Sequence, residues 1–135
     1  MTVLATIDRT PGCGQVVETA EELATGLGHD LVVLHVVPEG DDEEAARAEI
    51  EAIVADAIGE DAAVELRLVA EAATRDVPTG RTAKRVLDVA ERLDPAYLVI
   101  GSRKRTAIGK VLLGSVSQLV LTNAEVPVVT VEQAT

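Results

Sequence analysis

Phenylalanine and tryptophan are absent from this chain of 135 residues, and Tyr97 is its single aromatic side chain. Without rings to stack on bases, binding of single strands through an aromatic platform is excluded. A core must be filled by Val, Leu, Ile and Ala, and a chain of this length buries roughly two thirds of its unfolded surface in one domain, residues 1–135. Cys13 is the one cysteine, so no disulfide forms within the chain, and His29 and His35 are too few and too differently placed for a zinc site. Positive charge is scarce: 12 Lys and Arg stand against 23 Asp and Glu, a formal net charge of -11. Such a surface repels a phosphate backbone, so nucleic acid is not an expected partner. Nine of the basic residues are Arg and three are Lys, which together with the acidic excess suits a halophilic, salt-adapted cytoplasm. No apolar stretch reaches the roughly 18 residues needed to span a bilayer, and "MTVLATIDRTPG" has no basic segment ahead of its apolar run. The expectation is a cytoplasmic protein with no membrane contact.

What is present alternates. Val3 to Ile7 is a buried strand ending at Asp8, followed by a Pro11-Gly12 turn. Val16, Ala20, Leu23, Ala24 and Leu27 then share one helical face, closed by Gly28. Leu31 to Val37 is apolar on both faces, as in the middle of a parallel sheet, and Pro38 ends it. The acidic run Asp41 to Glu44 marks the first turn of a helix with the stripe Ile50, Ile53, Val54, Ala57 and Ile58, stopped by Gly59. Val64 to Val69 alternates and reads as an edge strand. A helix after Gly80 carries Ala83, Val86, Leu87, Ala90 and Leu93, and Asp94-Pro95 separates it from a strand at Ala96 to Ile100. A last helix turns Leu112, Val116, Leu119 and Val120 inward, before a strand at Val126 to Val131.

Strand and helix alternating in this way make an α/β fold, a single doubly wound five-stranded parallel sheet of Rossmann-like type, here of order 3-2-1-4-5. Ligands of such sheets bind at the carboxyl ends of the strands where the order reverses, between the first and fourth strands. The loops meeting there are Asp8 to Gly14 and Gly101 to Ser115. Gly101 leaves a strand and Gly114 and Ser115 open a helix, whose free N-H groups favour anions. Arg103, Lys104, Arg105 and Lys110 gather four cations in the same loop, against the acidic trend of the chain. A P-loop would need a glycine at Lys104 and a hydroxyl residue at Val111, so this is not one. Asp8 either accepts from a nucleobase amine or ribose hydroxyl, or caps the Pro11-Gly12 turn. Cys13 is either a thiolate activated at a helix start or a packing residue, and packing is the commoner case. His35 reads as a satisfied core residue, and the acidic run as a solvated helix cap. No nucleophile, base and orienting group can be assembled, so binding is favoured over catalysis.

These residues resemble the universal stress protein family over nearly the whole chain: the aspartate ending the first strand, "LHVVP" at Leu34 to Pro38, "VIGSR" at Val99 to Arg103, "GSVS" at Gly114 to Ser117 and the terminal "VPVVTV". ATP-binding members carry glycine, two residues, glycine, nine residues, glycine and then serine or threonine. Gly101, Gly114 and Ser115 match that pattern, and Lys104 stands at the middle glycine. The resemblance implies an adenine nucleotide (ATP, AMP or ADP, with Mg) held by Asp8 and the Val36 backbone at the base, Gly101 near the ribose, Gly114, Ser115 and Val116 at the phosphates, and Arg103 and Lys104 in the phosphate loop. It also implies a homodimer pairing through Val126 to Val131, with a protein partner that the residues do not name. Three functions follow: a nucleotide-binding stress-response module, a dimeric interaction protein that Lys104 has deprived of the nucleotide, and a slow ATP hydrolase related to the nucleotide alpha hydrolases.

Overall fold

Five strands and four helices alternate in a computed structural model that describes residues 1–72, 80–102 and 114–133. In chain order they are β1 (Thr2–Thr6), α1 (Cys13–Leu27), β2 (Asp30–Val37), α2 (Glu43–Ile58), β3 (Glu65–Ala70), α3 (Arg81–Leu93), β4 (Tyr97–Ser102), α4 (Ser115–Asn123) and β5 (Val128–Glu132). The strands form one sheet in the order β3-β2-β1-β4-β5, and every neighbouring pair is parallel. This is the α/β architecture expected from the alternation.

The hydrophobic pattern explains the layering. β1 is central, and Val3, Leu4 and Ala5 are fully buried between neighbours on both sides and helices on both faces. Successive side chains point to opposite faces. Val3, Ala5, Leu31, Val33 and Val99 meet Val16, Val17 and Ala20 of α1 and Ile50 and Val54 of α2 on one face. On the other, Leu4, Val32, Leu34, Leu98 and Ile100 meet Ala83, Val86 and Ala90 of α3 and Val120 of α4. Each buried Val, Leu or Ile contributes about 1.5–3 kcal/mol, so an aliphatic core suffices without aromatic rings. β2 is buried from Leu31 to Val37, whereas β3 at the edge is only partly covered.

Several boundaries and faces depart from the sequence expectations. β4 runs on to Ser102, so Gly101 lies inside a strand, opposite Val131, because β5 extends alongside it. β5 begins after Pro127, which has no N-H for the ladder but whose carbonyl accepts from Leu98. Leu27 is 46% exposed, since the last turn of α1 overhangs the sheet. Val116 is also exposed rather than inward: it sits in the first turn of α4, beyond the end of the core. Of the acidic run, Asp41 and Asp42 precede α2, with Asp42 accepting from the Glu44 N-H as its N-cap. No helix among the described residues is long and apolar enough to cross a membrane. Leu112 lies outside the described residues.

Candidate functional site

Where β1 and β4 part, Thr6, Ile7, Asp8, His35, Val36, Thr82, Gly101, Val116, Ser117 and Gln133 enclose a crevice of about 90 Å³. The strand order reverses here, so the chain leaves β1 toward one face and β4 toward the other, and no crossover covers the gap.

Asp8 stands just past β1, where the Ile7 N-H still bonds the Leu34 carbonyl at 3.0 Å. Its Oδ1 accepts from the N-H and the hydroxyl of Thr10, at 3.1 and 2.5 Å. Oδ2 has no hydrogen bond to a described residue. One oxygen thus closes the turn, as the capping reading of Asp8 expects. Arg9, between them, adopts a left-handed backbone with φ 66° and reaches back to Asp41 and Glu49.

Val36 is brought to the same crevice from β2. The register of β1 against β2 ends at Thr6 and Leu34. Two residues further on, the backbone groups of Val36 point the same way as those of Leu34, into the gap that β1 has left.

On the opposite side, the Gly101 carbonyl accepts from the Ser117 hydroxyl at 2.8 Å, which ties the first turn of α4 to β4. Gly114 is the N-cap of α4, without a side-chain cap, and its carbonyl accepts from the Gln118 N-H. The N-H groups of Ser115, Val116 and Ser117 precede the first intrahelical bond and remain donors for a ligand. At Gly101 a Cβ would lie 2.6 Å from the amide end of the Gln133 side chain, a flexible group that a larger residue would turn aside.

The fold thus gathers Asp8, Val36, Gly101 and Val116 around one crevice, with Gly114 and Ser115 leading into it. Arg103, Lys104, Arg105 and Lys110 lie outside the described residues. Six lining residues escaped the sequence reading as site residues: Thr6, Ile7, His35, Thr82, Ser117 and Gln133. Ser117 was legible within "GSVS". Thr82 and Gln133 carry no local signal, because they arrive from α3 and from the end of β5.

His35 is not fully satisfied. It is 3% exposed and its Nδ1 lies 2.9 Å from the Ile7 carbonyl. A carbonyl only accepts, so Nδ1 carries the proton in that bond. Nε2 has no partner, an uncommon condition for a buried polar atom. Cys13 is 3% exposed, and burial, followed by the negative charge of Asp8, pushes its thiol above the ordinary range. That is the opposite of thiolate activation, so Cys13 packs. No group of three His, Cys, Asp or Glu that could hold a metal is found among the described residues.

Residues 1–132 match the model of the universal stress protein family. A universal stress protein from Archaeoglobus fulgidus has a similar structure, with a TM-score of 0.71, 28% identity and 96% of each chain covered. Another from Archaeoglobus fulgidus, solved in complex with dAMP, gives a TM-score of 0.68 at 23% identity, covering 96% of this chain and 94% of that one. A universal stress protein in complex with cAMP gives 0.71 at 20% identity, covering 99% and 98%. The curated proteins contained no match. With a family match spanning nearly its full length, and the sheet order and motifs agreeing, the chain belongs to the universal stress protein family.

Proposed function

We propose that this protein binds an adenine nucleotide in the crevice between β1 and β4. The observation that carries the reading is the meeting, at one switch point, of a carboxylate with a free oxygen (Asp8), an unpaired strand edge (Val36) and the open N-terminus of α4. Asp8 accepts from the base or sugar, Gly101 lets the sugar approach the strand, and the N-H groups from Ser115 onward take the phosphates. Two structural relatives bind dAMP and cAMP, which agrees with an adenosine-containing ligand. At about 90 Å³ the crevice suits a single ring system, so the phosphates lie outside it, over α4. Arg103 and Lys104, which follow β4 in sequence, are the cations this reading assigns to the phosphates.

ATP is the nucleotide we assign, with Mg carried on its phosphates, and the activity is binding that changes the surface around Gly114. The working form is a homodimer in the cytoplasm. β5 is an edge strand with Val129 and Val131 only partly covered, and pairing with a second copy would close that edge. The test is to purify the protein natively, denature it and identify released small molecules by mass spectrometry, followed by calorimetry with ATP and AMP. Micromolar or tighter binding of either supports the reading. Binding of neither by a folded protein overturns it and leaves a dimeric interaction module. Lys104→Gly then separates two roles for that lysine: weaker ATP binding marks a phosphate ligand, and tighter binding an obstruction.

A further inference from the structure

Arg9 and Asp94 are the two non-glycine residues with positive φ among those described. Asp94 caps the end of α3, a place where the left-handed conformation is common. Arg9 caps nothing, and its φ of 66° puts a Cβ where L-residues are disfavoured. Such a conformation persists only where the surroundings over-determine it.

Those surroundings are two carboxylates distant in sequence. The guanidinium donates from Nη2 to Asp41 Oδ2 at 2.6 Å and from Nη1 to Glu49 Oε2 at 3.3 Å, and the Arg9 side chain is 22% exposed. Asp41 lies just ahead of α2 and Glu49 lies on it, so Arg9 fastens the β1–α1 loop to the neighbouring helix. Asp8 is held between this clamp and Thr10. Thr10 takes Oδ1, Asp8 lines the crevice, and Arg9 sets the direction in which the chain leaves Asp8.

We propose that Arg9 is a positioning residue: its ion pairs with Asp41 and Glu49 hold the backbone turn that aims the Asp8 carboxylate at the ligand. The inference rests on the reading that Asp8 receives an adenine nucleotide. It adds a regulation of that site, since the clamp is partly exposed and salt weakens it without touching the ligand. Nucleotide affinity is therefore tied to ionic strength through residues outside the crevice.

The experiment is a double-mutant cycle on the full chain, with AMP binding measured by calorimetry for the wild type, Arg9→Gly, Asp8→Asn and the double variant. Arg9→Gly removes the ion pairs and relieves the backbone at once. The expected result is a thermal unfolding curve close to that of the wild type with AMP bound about tenfold more weakly, and a double variant scarcely weaker than Asp8→Asn alone. Between low and molar KCl, wild-type affinity should fall more steeply than that of Arg9→Gly, the difference in slope cancelling the contribution of the phosphate itself. Wild-type affinity in Arg9→Gly, losses that multiply in the double variant, or equal salt slopes would each overturn the proposal. Should Arg9→Gly fail to fold, Asp41→Asn with Glu49→Gln removes the same pairs from the other side and must reproduce the loss. A wild type that binds no AMP removes the functional reading and this inference together; binding with multiplying losses removes the inference alone.

Discussion

The two sides of the crevice are built from different chemistry. The side formed by the β1–α1 and β2–α2 loops is charged and held by side chains: Arg9 pairs with Asp41 and Glu49, and farther out Arg81 donates to Glu39 at 2.7 Å and to the Ala72 carbonyl at 2.7 Å. The side formed by β4 and α4 is neutral among the described residues and held by backbone and hydroxyl groups, with Ser117 on the Gly101 carbonyl and the first turn of α4 open. An acceptor-rich side suits the amine and hydroxyl donors of a nucleoside, and a donor-rich side suits phosphate. The difference also divides their sensitivities, because exposed ion pairs respond to salt while backbone donors hardly do.

The sharpest way to break the neutral side is Gly101→Val. The new side chain turns aside the amide end of Gln133, 2.6 Å from the Cβ position, and stands at the wall of the crevice. We expect stability within about 1 kcal/mol of the wild type by thermal unfolding and no measurable nucleotide binding by calorimetry. Asp8→Asn tests the charged side with less damage. Asparagine keeps an oxygen for the Thr10 turn, so stability should stay within about 0.5 kcal/mol while AMP affinity drops about tenfold. Ser117→Ala removes one hydroxyl bond between α4 and β4 and should cost about 1 kcal/mol in urea unfolding, with a similar loss in binding as the first turn of α4 loosens.

The smallest effect belongs to Cys13. Its thiol is displaced above its ordinary value of 9.0, chiefly by burial. An acid whose folded value is raised keeps its contribution to stability below the unfolded value and loses it as pH rises through the folded one. Stability should therefore decline slightly above about pH 9, and the decline should vanish in Cys13→Ala. A thiol reagent at neutral pH should label Cys13 only as fast as the protein opens. Rapid labelling of the folded protein would restore the thiolate alternative.

Much of the fold was legible because its determinants are local. The solid apolar run of Leu31 to Val37 reads as a fully covered strand, and burial on both faces follows from the middle place that such a strand must take. Pro38, Gly28 and Gly59 mark ends that backbone geometry enforces. Faces near element ends were harder. Leu27 and Val116 fit their helical stripes by spacing, yet both are exposed because the stripe continues past the sheet that would cover it. Periodicity reports a direction around a helix and not the extent of the surface it faces.

The site divides in the same way. Asp8, Gly101, Gly114 and Ser115 could be named as candidates from a strand end, glycines and a helix start, which are local features, whereas Val36 came only from the family resemblance. What the sequence determined by itself was the alternation of elements and the aliphatic core, because propensity and hydrophobic period act over a few neighbours. Only the tertiary structure decided that Arg9 is clamped by Asp41 and Glu49, that Gln133 rests on Gly101, that Ser117 ties α4 to β4 and that His35 leaves Nε2 unpaired. Each of these joins residues from different elements, and no local pattern specifies a pairing whose distance is set by the packing of the whole sheet.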